Sequence, residues 1–304
     1  VRKGICLLAA LLMMIAACAS AETKTSGAFE YRVEDGGAVI TRYIAGVEKE
    51  ISDRSRGTVS GRTGGNKNIE VPETLDGIPV TGFDAGAFRG CVTIEKITIL
   101  AQVKELPEGL FDYCKQMTQV TLPDSLEVIG DEAFYDCRSL KKVEIPSGVT
   151  KIGDRAFAEC LAMYQASVPG GVAEMGEMIF LGCARLKDVS LGEGLAEIPE
   201  AMFMSCTSLK SITIPESVKE ISRFAFIDCE ALTGIEIPAG VEKIGVGAFQ
   251  FCTKMTSAVI PSGVSEIGES AFRGCNSKLV LKVHAGSAAE KYAAGNGLTM
   301  ETIE

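Results

Sequence analysis

Tryptophan is absent from the 304 residues, and histidine occurs once, as His284. A single imidazole excludes a Ser-His-Asp or Cys-His catalytic set from nearly all of the chain. It also leaves no histidine-bearing cluster for zinc. Long hydrophobic runs are scarce as well. The one extended apolar stretch, Ile5 to Ala17, falls short of the roughly 20 residues needed to cross a bilayer. Excess positive charge is missing too: 30 Lys and Arg stand against 40 Asp and Glu, a formal charge of −10. An acidic chain of this kind is a poor partner for nucleic acid. Arg54, Arg56, Arg62 and Lys67 do lie close together among Ser and Gly, and they read as a solvated loop.

What the chain does have is a strict period. Cys91, Cys114, Cys137, Cys160, Cys183, Cys206, Cys229, Cys252 and Cys275 are spaced 23 apart, and three residues before each stands a phenylalanine, from Phe88 to Phe272. A period of this length means one supersecondary unit stacked on copies of itself. The stretch Cys137 to Cys160 is representative. Val143 and Ile145 alternate with Lys142 and Glu144, as on a strand with one buried face. Pro146 closes that strand. Gly153-Asp154 reads as a turn, and Ala156, Phe157 and Cys160 fit a short helical turn with Phe and Cys on one face. Stacked coils place their strands about 4.8 Å apart, so nine or ten coils build an arc on the order of 45 Å long.

The pattern Leu-x-x-Val-x-Ile-Pro-x-x-Val-x-x-Ile-Gly-x-x-Ala-Phe-x-x-Cys resembles the 23-residue leucine-rich repeat of BspA-like bacterial surface proteins, over residues 69–283. Asp76-Gly77-Ile78-Pro79-Val80-Thr81 is similar to that family's first coil, and Ala285 to Ala293 to its closing helix. The resemblance implies an α/β solenoid: a leucine-rich-repeat arc with one parallel β-sheet face, short helical or 3-10 turns on the other side, and caps at both ends. It also implies a non-enzymatic protein associated with adhesion to host proteins or other cells.

The termini complete the layout. Residues 1–21 read as a signal peptide, with Arg2 and Lys3, the apolar run, and Ala19-Ser20-Ala21 as a cleavage site. Ile15-Ala16-Ala17-Cys18 resembles a lipobox, which makes Cys18 a lipidation candidate; both fates stay open. Loss of Arg2 and Lys3 takes the formal charge from −10 to about −12. Either fate implies an extracellular or cell-surface location, with membrane contact only through a lipid at Cys18. Residues 22–68 suggest a capping hairpin, Phe29–Val33 and Ala38–Tyr43 around Asp35-Gly36-Gly37, followed by a mobile loop over 47–67. Residues 284–304 suggest a cap helix over 288–294 begun by Ser287, then a last strand over 299–303.

The cysteine ladder reads as buried free thiols, since equivalent residues of stacked coils project in parallel and nine is an odd number. No metal or cofactor is expected. Paired carboxylates such as Glu127 and Asp131 fall on solvent-facing positions without a cleft between them. What remains is the outward face of the sheet: Lys96, Thr98, Gln119, Thr121, Lys142, Glu144, Gln165, Ser167, Asp188, Ser190, Ser211, Thr213 and Glu236. These are the candidate contacts for an extracellular protein or surface polymer. The alternatives are a spacer without a specific ligand and, ranked last, a carbohydrate-active or hydrolytic protein.

Overall fold

Alternation along each coil builds the first wall. In Lys142–Glu144 the middle residue is buried and its neighbours are exposed, and the strand pairs in parallel with Gln165–Val168, which pairs in turn with Asp188–Leu191. The computed structural model describes residues 22–53 and 57–304, with side chains described outside 49–61. The signal-peptide and lipobox assignments, Cys18 included, lie outside the described residues. Over residues 96–284 the chain is a solenoid of stacked parallel strands in register steps of 23, Lys96 facing Gln119 and Lys142 facing Gln165, and the strand Asn68–Val71 precedes it at a step of 28.

A second wall was not legible as strand. Each coil carries a two-residue strand after its turn, and these form their own parallel ladder. Glu105–Leu106, Val128–Ile129, Lys151–Ile152 and Glu174–Met175 pair in sequence. Glu197–Ile198, Glu220–Ile221, Lys243–Ile244 and Glu266–Ile267 continue it as a separate set. The interruption falls where Pro199 takes the slot of Gly153 and Gly176. Those glycines donate their N–H groups to Ile129 and Ile152 of the preceding coil, and proline has no N–H to donate.

The third wall corrects the expectation of helical or 3-10 turns. At Ala-Phe-x-x-Cys, alternate N–H groups leave the coil altogether. Those of Glu132, Phe134 and Asp136 donate to the carbonyls of Asp154, Ala156 and Ala158 in the next coil. The N–H groups between them, of Ala133, Tyr135 and Cys137, close tight turns onto Gly130, Glu132 and Phe134. A helix turns every N–H back on its own chain, so this segment is a stack of turns. Two left-handed residues per coil bring it about, five residues and one residue before each cysteine. In one coil they are Glu132 (φ 53°) and Asp136 (φ 55°), in another Ala201 (φ 50°) and Ser205 (φ 61°). Glycine fills only some of these stations, among them Gly90, Gly182 and Gly274. The left-handed region costs other residues roughly 1–2 kcal/mol. Ser205→Gly is therefore expected to raise stability by about 0.5–1 kcal/mol, glycine's entropy offsetting part of the relief. A urea melt checks this, and a midpoint equal to or below the parent's would contradict it.

Between the walls runs the core. Phe134, Phe157, Phe180, Phe203, Phe226, Phe249 and Phe272 stack ring on ring, with neighbouring centroids 5.2–5.7 Å apart and planes within 15° of parallel. All are buried. Tyr43 stacks on Phe88 at one end, and Tyr292 meets Phe272 edge-on at the other.

The caps follow from turn chemistry. Phe29–Glu34 and Gly37–Tyr43 form an antiparallel hairpin whose turn residues, Asp35 and Gly36, both have positive φ, as a two-residue turn of the primed type requires. Residues 47–63, read from sequence as a loop, pair as a second antiparallel hairpin, Val47–Asp53 with Gly57–Thr63. The β-branched residues Val47, Ile51, Thr58 and Val59 support strands there. At the far end the helix Ala288–Gly295 begins at Ser287, whose Oγ accepts the N–H of Glu290 at 3.2 Å. The strand Thr299–Ile303 then pairs with Val280–His284. This is the only α-helix among the described residues.

Candidate functional site

Parallel register lines up the outward side chains of successive coils in rows. One row runs Lys142, Gln165, Asp188, and the next runs Glu144, Ser167, Ser190. Ser190 Oγ donates to Ser167 Oγ at 2.8 Å, and Lys142 Nζ lies 2.9 Å from Glu144 Oε1. Both members of that ion pair are exposed, so it contributes only about 0–1 kcal/mol. Lys96 and Thr98 pair with Gln119 and Thr121 on the preceding coils. Of the predicted face, Thr98 is half-buried and the rest are exposed.

The face is not continuous. The strand Gln119–Thr121 and the strand Lys142–Glu144 belong to separate sheets. A second interruption falls between Asp188–Leu191 and Gly234–Glu236. There Ser211 and Thr213 lie outside any described strand, and Glu236 begins a further sheet that runs on to the C-terminal strand. The coil ahead of this gap has Gly192-Glu193-Gly194 in the slot that proline takes at 123, 146, 169, 215, 238 and 261. Gly192 lies so close to Gly170 that an added Cβ would sit 2.3 Å from its nitrogen.

Beside the first interruption the surface sinks into a depression of about 690 Å³, lined by Lys96, Gln119, Thr121, Lys142, Glu144 and Tyr164 among others. Lys141 also lines it, and burial pattern could not have flagged that residue because it stands one place before the strand. Its equivalents in the coils that follow are Tyr164, Lys187 and Lys210. The signal was present at the fourth residue after Cys137, Cys160, Cys183 and Cys206, outside the alternating pair.

The opposite edge is acidic and only partly ion-paired. A trough of about 600 Å³ is lined by Glu177, Glu197, Glu200, Glu220 and Glu266, with Arg223 and Lys243. Arg223 holds Glu200 at 2.5 Å and Lys243 holds Glu220 at 3.0 Å. A general acid needs a carboxyl kept neutral by an apolar enclosure; here the carboxylates lie in an open, ion-paired surface. His284 ends the strand Val280–His284, half-buried and paired in register with Ile303.

The nine described cysteines are free thiols. Each from Cys114 to Cys275 donates its Sγ–H to the carbonyl of the phenylalanine 26 residues earlier, at 3.1–3.3 Å. Burial pushes the Cys91 thiol up to about 12 and holds Cys137, Cys160 and Cys206 well above the usual range. These four are structural groups and poor nucleophiles. Among the described residues no group of three or more His, Cys, Asp or Glu is placed to hold a metal ion. No described helix is long and apolar enough to cross a membrane.

A family profile and one solved structure give the same architecture. The profile of the BspA type leucine rich repeat region matches residues 81–208 and 173–285, in six copies. A leucine-rich-repeat protein of T. pallidum is similar in structure, with 25% identity, a TM-score of 0.54, and coverage of 77% of this chain and 91% of that one. A leucine-rich-repeat protein from Bacteroides ovatus is 20% identical with a TM-score of 0.41, covering 86% of this chain and 100% of that one. A leucine-rich cell surface protein from Faecalibacterium prausnitzii is 20% identical with a TM-score of 0.38, covering 90% and 97% respectively. No curated protein matches the sequence.

Proposed function

Because the chain belongs to the BspA-type leucine-rich-repeat family, we propose that it is a non-enzymatic recognition module that holds an extracellular protein or surface polymer against its sheet face, in the manner of an adhesin. One observation carries this reading. The inward positions of the strands stay apolar throughout, while the outward rows, Lys142-Gln165-Asp188 and Glu144-Ser167-Ser190, vary in charge and size on one rigid ladder. A solenoid that served only as a spacer has no use for such a graded surface, whereas broad contact with a macromolecule does. The face has no cluster of exposed aromatics, so contact is spread over many weak positions rather than a deep pocket.

The basic, apolar start of the sequence supports action outside the cell, either free after cleavage before Glu22 or tethered through Cys18. Exchanging the charges of the two rows at one strand, with Lys142→Glu and Glu144→Lys together, is expected to weaken capture of the natural partner by roughly tenfold or more and to leave the melting temperature unchanged. Surface capture of host matrix proteins and cell-wall polymers, paired with a circular dichroism melt, checks both halves. Capture that survives the reversal undiminished would sink the assignment to this face, and the absence of any saturable binder would favour the spacer.

A further inference from the structure

In a chain of formal charge −10, one edge of the sheet face carries lysines that no acid neutralises. Lys141, Lys187 and Lys210 occupy the same station of their coils, with Tyr164 between the first two. The Tyr164 N–H donates to the Lys141 carbonyl at 3.0 Å, and the Lys187 N–H to the Tyr164 carbonyl at 3.0 Å. Lys141, Tyr164 and Lys187 therefore rise from adjacent coils about 4.8 Å apart, and Lys210 holds the same station of the next coil, where the strand ladder is interrupted. All three lysines are exposed. Among the described residues none of the three has a carboxylate within ion-pair distance, and the same holds for Lys96. The contrast with the second ladder is sharp. There Lys104, Lys151 and Lys243 each reach a glutamate of a neighbouring coil, at 2.8, 3.2 and 3.0 Å. On the sheet wall Lys142 and Lys67 are likewise paired, with Glu144 and Glu95, and the column lysines stand open beside them.

We propose that the column Lys141–Tyr164–Lys187–Lys210, with the depression beside it, binds an acidic polysaccharide, a chain of sugars bearing sulfate or carboxylate groups. This rests on the sheet face being the recognition surface and names the chemistry that surface takes. Charge complementarity supplies the attraction: fixed cations at coil intervals face a polymer whose anions also recur at regular intervals. The Tyr164 side of the column supplies the carbohydrate component. Its ring is 41% exposed, an apolar plate with a polar tip on which the C–H face of a sugar can lie. In the adjoining depression of about 690 Å³, the amide of Gln119 and the hydroxyl of Thr121 can each both donate to and accept from ring hydroxyls. A protein partner would call for apolar anchors at the centre of the patch, and this edge has only Tyr164. Nucleic acid would call for a run of rings on which successive bases stack, and this edge offers only Tyr164.

The test uses the purified full chain on immobilised heparin and polygalacturonate, which separate sulfate from carboxylate recognition, with dextran, poly-aspartate and single-stranded DNA beside them. Saturable binding to one of the acidic polysaccharides is expected, weakening as salt rises. It should drop roughly tenfold in Lys141→Gln/Lys187→Gln/Lys210→Gln and about threefold in Tyr164→Ala. Lys104→Gln/Lys151→Gln/Lys243→Gln, on the second ladder, should bind as the parent does, and circular dichroism should give both triple variants melting temperatures close to the parent's. The proposal is overturned if neither acidic polysaccharide binds, if the column variant binds like the parent, or if poly-aspartate or DNA binds as tightly at the same salt. Should the column fail while the Lys142/Glu144 reversal still abolishes capture of the natural partner, the recognition face stands and only its ligand class falls.

Discussion

Phe180→Ala is expected to cost about 3–5 kcal/mol of stability. The ring is fully enclosed and lies between Phe157 and Phe203, 5.7 Å from each. Its removal opens a void that the neighbours cannot close. The Phe180 N–H is bound to the Met202 carbonyl and the Phe157 N–H to the Ile179 carbonyl, so the flanking coils are pinned at their present spacing. In a solenoid each coil is held by its two neighbours, and a defect at the centre weakens two interfaces at once. The urea transition should therefore move to lower concentration and also broaden as the two halves uncouple. Phe180→Leu, which keeps most of the volume, should lose less than about 1.5 kcal/mol. Phe251→Ala, at a ring 41% exposed, should stay within about 0.5 kcal/mol of the parent. A Phe180→Ala protein within 1 kcal/mol of the parent would remove the ring stack from any account of this fold's stability.

The second large effect is on alkali. Seven thiols, Cys91, Cys114, Cys137, Cys160, Cys183, Cys206 and Cys229, are pushed upward in the folded protein, chiefly by burial. An unfolded chain ionises the same groups near the ordinary thiol value of about 8.5. Above that pH the unfolded state binds fewer protons than the folded one, so stability falls as pH rises. The stability is fully present below about pH 8. Between about pH 8 and 10 each thiol removes roughly 2 kcal/mol, on the order of 13 kcal/mol for the seven, which is as large as the whole margin of a typical domain. Tyr31 and Tyr43 are raised too, the first by the hydrogen bond to Asp76 and the second by burial, and both push the same way at higher pH. Urea midpoints at pH 8, 9 and 10 should fall steeply. The double variant Cys137→Ala/Cys206→Ala, less stable at pH 8, should fall less steeply by two thiols. Midpoints that do not move across this range would mean that the sulfurs meet water.

The stacked architecture was legible because its two most repeated residues, Phe and Cys, are those that must fill one shared column. Register needed nothing more than the count of 23. The caps could be read from Asp35-Gly36 and Ser287, residues whose local chemistry dictates a turn and a helix start. The turn wall was hidden for a physical reason. Its conformation is imposed by hydrogen bonds to the next coil, so stations occupied by Glu132, Tyr113, Met178 or Phe224 all take positive φ without a common side chain to announce it. The occasional glycines at the same stations, Gly90 and Gly182 among them, were the only hint. The breaks in the face were hidden likewise: Gly192-Glu193-Gly194 reads as a tolerated departure until the neighbouring backbone is seen. The lysine column went unread because alternation draws attention to the strand itself, and Lys141, Lys187 and Lys210 stand just before it.

The thiol-to-carbonyl bond has a consequence for how such a chain can change length. Each phenylalanine carbonyl receives the sulfur hydrogen of the coil behind it, so every unit leaves the same vacancy that it fills. Excision or duplication of one whole unit, say 138–160, would join like to like at the seam. A gain or loss of any other number of residues would set sulfur against the wrong oxygen and ring against backbone. Growth and shrinkage of the array are thus quantised, and the reach of the outward face is adjustable only in whole coils.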